Sequence, residues 1–183
     1  MSDLAPYLAD PERLVFLDES GFNTAMTRGY ARAPSDRRAA KVVPRNYGKN
    51  YTLICALSLA GPLAPLVIDG SLTGVSFEYY VACELCPLLS PGGVVIMDNL
   101  SSHHRACIRT PTLARGCKLL FLSPYSPDFN PIELLFSKLK ALVRGYAQRT
   151  VETLIQGIGT ALGLISIRDI QHWFNHTLLK LLL

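Results

Sequence analysis

The sequence predicts an α/β fold, a mixed β-sheet flanked by helices, and three observations predict it. Apolar runs at residues 13–17, 51–60 and 63–68 come early, with no helical pattern between them, and the last two meet at Gly61-Pro62, a hairpin signal. Later apolar runs at 94–97 and 118–122 alternate with helical periodicities at 76–89, 102–115 and 131–146. Directly joined strands pair antiparallel and helix-separated strands pair parallel, so the sheet is mixed. Composition agrees: 183 residues, 49% hydrophobic and 17% charged, bury one core and exclude a disordered chain.

Taken in order, the first strand ends on Asp18-Glu19-Ser20-Gly21, read as an acidic turn. Residues 28–49 carry seven basic side chains against Asp36 alone, a surplus of six where the whole chain nets +4. That basic loop contains Arg28, Arg37, Arg38, Lys41 and Arg45, and reads as a contact for a polyanion, phosphates first. The alternative is a solvated loop with no partner. The helix at 76–89 stops at Pro91-Gly92-Gly93, and the strand at 94–97 ends on Asp98-Asn99. Thr150 or Val151 opens a helix weakened by Gly157, Gly159 and Gly163, and residues 167–183 form a last one anchored by Trp173.

No secretory leader is visible, since Asp3, Asp10, Glu12 and Asp18 interrupt the opening residues. The longest uncharged run, residues 51–68, holds Gly61, Pro62 and Pro65 and so suits a hairpin, not a membrane helix. A soluble intracellular protein is the expectation. Five cysteines without a secretory context give no disulfide framework, and Cys83-x-x-Cys86 sits inside an apolar helical pattern, which favours packing over zinc.

One stretch organises the chain. After the apolar run 119–122, three prolines fall within residues 123–131 and forbid a regular element, so the backbone turns through a stiff loop. Asn130-Pro131 is a cap residue followed by proline at the first helical position, and Glu133 stands where a capping-box glutamate would. Ile132, Leu135, Phe136, Leu139 and Val143 then recur at helical spacing, with Lys138, Lys140 and Arg144 off that stripe. Glu133 could simply cap its helix. The apparatus that aims it at the end of an apolar strand suggests more.

Asp18 and Asp98 each follow an apolar strand, and ligand sites of α/β sheets gather at such ends. Singly, each aspartate reads as a cap or turn residue. Three carboxylates converging from three elements repel one another unless cations neutralise them, and an oxygen-only set selects Mg²⁺ or Mn²⁺. Two such ions about 4 Å apart can activate a water or a 3′-hydroxyl and stabilise the leaving oxygen of a phosphodiester.

The motifs Asp18-Glu19-Ser20-Gly21-Phe22, Met97-Asp98-Asn99-Leu100-Ser101-Ser102-His103 and the run from Ser123 to Glu133 resemble the catalytic domain of mariner-type DDE transposases, above all their bacterial insertion-sequence relatives. The 34 residues between Asp98 and Glu133 match the family's spacing, and the likeness runs from about Leu14 to Tyr146. The resemblance implies a ribonuclease H-like fold, with a catalytic unit at residues 1–149 and a helical extension of the same domain at 150–183. It implies a metal-binding and catalytic triad of Asp18, Asp98 and Glu133, with two Mg²⁺ or Mn²⁺ ions. Asn99 and His103 match positions flanking the second aspartate, and Arg28, Arg37, Arg38, Lys41, Arg45 and Lys138 are the candidate DNA contacts. Double-stranded DNA, at element ends and at the target, is the implied partner, with a homodimer as the assembly to test and a bacterial nucleoid as the setting.

The chain departs from the family in three places. It opens almost at the first catalytic strand, without the family's helix-turn-helix region; Phe136 stands where tryptophan is frequent; and the leucine-rich finish, residues 178–183, is unlike the family's. Two other readings stand beside transposition. One is a non-catalytic remnant that binds DNA or full-length transposase, the other a ribonuclease H-like nuclease acting on a different nucleic acid.

Overall fold

The structure, a computed structural model, describes residues 4–30, 32–38, 40, 44, 48–98, 106–123 and 129–182. Its sheet has five strands: β1 (Leu14–Asn23), β2 (Asn50–Ser58), β3 (Gly61–Asp69), β4 (Val94–Met97) and β5 (Lys118–Phe121). They lie in the order β3-β2-β1-β4-β5. The first three pair antiparallel, while β4 pairs parallel to β1 and to β5. The sheet is mixed, as expected, with the antiparallel strands early in the chain and the crossover strands late.

Two local readings are corrected. Asp18-Glu19-Ser20-Gly21 is not a turn: β1 runs on to Asn23, with Asp18 opposite Cys55 and Gly21 opposite Thr52. The ladder to β2 holds the backbone extended there, while the ladder to β4 ends at Leu17. The hairpin turns at Leu59-Ala60, not at Gly61-Pro62, which already belong to β3. Gly61 supplies the φ of +147° that begins that strand, and β3 is an edge strand, which tolerates Pro62 and Pro65 without ladder donors.

Along β1 the side chains alternate between two cores. Leu14, Phe16 and Phe22 face α3 (Pro131–Tyr146), α4 (Val151–Gly163) and α5 (Ile167–Leu182), meeting Phe136, Leu139, Ile158, Trp173 and Phe174. Phe16 and Phe174 meet edge to face, ring centres 5.5 Å apart. Val15 and Leu17 face the other way, toward α1 (Gly74–Tyr79), its continuation, and α2 (Ala106–Ala114), where Phe77, Tyr80, Leu85 and Ile108 lie. Burial on both faces explains why these strands read as unbroken apolar runs.

The helix expected at 76–89 begins earlier and is not uniform. Thr73 and Ser76 close a capping box at its start. After Tyr79 the chain widens into a π-helical turn, Tyr80–Leu85, then tightens over Cys86–Leu88 where Pro87 ends it. Cys86 packs in the core as expected, whereas Cys83 is exposed. None of the four described cysteines, Cys55, Cys83, Cys86 and Cys117, is in a disulfide. Thr150 caps α4 through a box with Thr153. Among the described residues no helix is long and apolar enough to cross a membrane.

Candidate active site

Register and alternation bring two carboxylates together. Leu17 pairs with Met97 across β1 and β4, so Asp18 and Asp98 are the next residues along neighbouring parallel strands, about 4.8 Å apart in backbone spacing. Asp18 shares the parity of Phe16 and Phe22, which face α3; Asp98 follows Val94 and Ile96, which face the same way. Both acids therefore stand at one end of the sheet, on the side that α3 covers.

The third carboxylate enters from α3. Ile132, Leu135, Phe136, Leu139 and Val143 bury the helix against the sheet, which fixes where its first turn sits. Asn130 occupies the cap position with extended backbone and Pro131 follows, as the sequence predicts. However, the Asn130 side chain makes no capping bond. Its Nδ2 donates instead to Asp18 Oδ2 at 3.0 Å, across 112 residues of sequence. The Glu133 N–H finds the backbone oxygen of Asn130, at 3.2 Å. Glu133 itself is exposed at the start of the helix.

The electrostatics of Asp18 report the convergence. Burial pushes its carboxyl up to about 7 from the ordinary 3.8, against the Glu19 N–H that donates to Oδ1 at 2.8 Å. The negative charges of Glu19, Glu133 and Asp98 push it up further. A carboxylate surrounded by carboxylates gains most from a cation among them. The donor set is all oxygen, which fits a hard divalent ion such as Mg²⁺ or Mn²⁺ and not zinc. Asp18, Asp98 and Glu133 are the residues that could hold it. The side chains are not drawn into a coordination sphere: among the described residues no three His, Cys, Asp or Glu side chains stand close enough to hold an ion.

The profile of the DDE superfamily endonucleases matches residues 13–155, a stretch that contains all three carboxylates. The chain belongs to this family. Its fold is shared with solved structures of the Mos1 transposase. The Mos1 strand transfer complex superposes with a TM-score of 0.74 at 16% identity, covering 98% of this chain and 56% of that one. The Mos1 paired-end complex with Mg gives 0.74 at 16% identity, over 96% and 57% of the two chains. The catalytic domain of Mos1 mariner transposase gives 0.65 at 15% identity, over 97% and 83%. At these identities the likeness is one of fold, and that fold is the ribonuclease H-like one expected. The chain spans little more than half the length of the Mos1 chains in those complexes. No curated protein matches its sequence.

Elsewhere in this DDE superfamily endonuclease the expected contacts are scattered. Arg28, Arg37 and Arg38 are exposed, with Arg37 Nε 3.8 Å from Asp36. Arg28 lies across Gly145 of α3, where a Cβ would come within 2.8 Å of its Nη2. Lys138 does not join the carboxylates: its Nζ is 2.6 Å from Asp169 Oδ2 and ties α3 to α5. Lys41, Arg45, Asn99, His103 and residues 124–128 of the proline loop lie outside the described residues.

Sequence reasoning missed the Asn130–Asp18 bond, because Asn-Pro before a helical stripe is explained completely by capping. It also did not single out the groove of about 340 Å³ formed by Gly21, Asn23, Ala25, Met26, Thr27, Lys140 and Arg144. That groove lies farther along the two elements that carry Asp18 and Glu133. Lys140 and Arg144 recur on α3 four residues apart, a spacing that puts both on one helical face.

Proposed function

We propose that this chain is the metal-dependent catalytic domain of a DNA transposase, cleaving double-stranded DNA at element ends and joining the freed 3′-hydroxyls to target DNA. The observation that carries it is the raised carboxyl of Asp18 on β1, buried and near enough to Asp98, just past β4, and to Glu133 of α3 to feel both negative charges. Membership of an endonuclease family and the shared fold with Mos1 complexes, among them forms with Mg and with Mn, support the reading. Bound divalent ions, two in the working site, would supply activation of the attacking hydroxyl and stabilisation of the leaving oxygen.

The chain's own residues do the rest. Asp18, Asp98 and Glu133 would hold the ions, and Asn99 and His103 flank the second aspartate. Arg28, Arg37, Arg38, Lys41 and Arg45 hold the polyanionic backbone, with Lys140 and Arg144 as the nearer contacts beside β1. Two copies holding two ends are the assembly, and the nucleoid is its setting.

The test is cleavage of an end-bearing duplex with Mg²⁺ or Mn²⁺. Asp98→Asn abolishes it and leaves duplex binding equal or tighter, since a repulsive charge is removed. Cleavage retained in that variant would sink the triad. A second reading, a remnant without chemistry that binds DNA or full-length transposase, draws on the described residues bringing no three such side chains close enough to hold an ion. Wild-type protein that binds duplex but never nicks it with either metal would select that reading.

A further inference from the structure

Asn130 carries a feature that helix capping does not explain. The residue is 4% exposed, and its Oδ1 is buried with no hydrogen-bond donor in reach among the described residues. An unsatisfied buried oxygen of this kind is costly, so such groups call for a reason. The start of α3 does not supply one. Pro131 has no N–H to offer, and the Glu133 N–H is taken by the backbone oxygen of Asn130. The other end of the amide is already committed, with Nδ2 donating to Asp18 Oδ2 at 3.0 Å. When Asp18 is ionised, as a metal ligand is, it can only accept, and the nitrogen end of the amide faces it.

We propose that Asn130 is a positioning residue of the carboxylate site. Its Nδ2 locks the Asp18 carboxylate in the orientation that presents its free lone pairs to an ion. Holding that bond is what leaves Oδ1 without a donor, so the amide serves the ligand and not its own helix. This inference rests on the reading of Asp18 as a metal ligand, and goes beyond it by assigning a role to a residue outside the triad. Partners that orient ligands in this way change metal affinity by 10- to 100-fold when removed.

The experiment measures Mn²⁺ affinity by calorimetry, with and without a short duplex, for wild type, Asp18→Ala and Asn130→Ser. Serine caps a helix about as well as asparagine, so a residue that only caps would leave both melting temperature and Mn²⁺ affinity unchanged. Serine is too short to reach Asp18. The proposal expects a melting temperature near wild type and Mn²⁺ affinity lowered at least about 10-fold. Wild-type affinity in a folded Asn130→Ser protein overturns it while leaving the triad intact. Wild type that binds no Mn²⁺ under either condition overturns the triad reading and this one with it.

Asn130→Asp is the second variant, since it keeps both size and capping ability. Against Asp18 it sets a fourth carboxylate. The metal-free melting temperature at pH 8 then falls by about 3 °C or more, and Mn²⁺ restores it more than it raises wild type. Melts identical to wild type, with and without Mn²⁺, would equally overturn the proposal.

Discussion

Two helices of this protein begin with an acid at their third position, and the acids do opposite things. At α5, Ser166 and Asp169 close a reciprocal box. Asp169 Oδ2 accepts the Ser166 N–H at 2.9 Å, and Ser166 Oγ accepts the Asp169 N–H at 3.2 Å. Asp169 then takes Lys138 of α3 as a second partner. At α3 the same positions are Asn130 and Glu133, and neither serves the helix in that way. Asn130 turns to Asp18 on β1, and Glu133 stays exposed, its charge felt by Asp18. A helix start that leaves its own donors to the backbone, and sends its side chains to a crowd of negative charge, is built for something other than stability.

The largest effect that would break this comparison is on activity. Glu133→Ala lowers metal-dependent cleavage by about 10³-fold or more, equivalent to several kcal/mol of transition-state stabilisation. The same change costs less than about 1 kcal/mol of stability, because only a helix-dipole contact is lost. Asp169→Ala behaves the other way. Cleavage stays within about twofold, while loss of the box and the ion pair costs about 1–2 kcal/mol, or 2–8 °C in melting temperature. Rates and melts measured on both variants check the pair. A stability loss at Glu133 equal to that at Asp169 would make the two helix starts equivalent.

Next in size is the pH dependence at Asp18. Its folded carboxyl takes up a proton near pH 7, well above its ordinary 3.8. The folded state therefore binds the proton more tightly than the unfolded chain, and stability falls as pH rises from about 4 to about 7. Asp18→Asn removes that penalty. In metal-free buffer at pH 8 the variant melts higher than wild type, by an amount whose ceiling is about 4 kcal/mol. At pH 4 the difference disappears. Saturating Mn²⁺ reverses the order, since only wild type gains from the ion. A variant less stable than wild type at pH 8 without metal would show that the carboxylate is well accommodated and the crowding is absent.

What the sequence made legible here was anything that rests on one element. The order of elements along the chain and the mixed pairing followed from where helical periodicity interrupts the apolar runs, and α3 followed from Asn130-Pro131 and its stripe. Asp18 and Asp98 were visible as acids that end apolar runs, and Glu133 as the acid of the third motif. Illegible were the features that depend on two distant elements meeting. That β1 continues through Asp18 to Asn23 is decided by β2, which pairs with it to the end. That Asn130 leaves its helix for Asp18 is decided by how α3 seats on the sheet. Lys138 looked like a free cation beside Arg144, because only the return of α5 supplies Asp169.

Lys138 therefore yields the smallest prediction and the one that separates structure from DNA contact most cleanly. Lys138 is the first cause that holds the Asp169 carboxyl at about 2, well below its ordinary 3.8, with Ser166 adding to it. The folded state keeps this carboxylate charged, so the stabilisation is complete above about pH 4 and is lost as pH falls toward 2. The pair is partly exposed, at 35% and 27% for the two side chains, so solvent screening limits it to about 0.5–1 kcal/mol. Lys138→Ala should lower the melting temperature by that equivalent at pH 7 and by clearly less at pH 2, where the folded carboxylate is half protonated. In an Asp169→Ala background it should cost almost nothing more. Its effect on duplex affinity should be small and its salt slope that of wild type. Arg37→Ala with Arg38→Ala should do the reverse, leaving the melt in place and flattening the slope of affinity against salt by up to about 2. A salt slope that falls by about 1 in Lys138→Ala would mean that the lysine exchanges Asp169 for a phosphate when DNA arrives, and that the seam between α3 and α5 opens on binding.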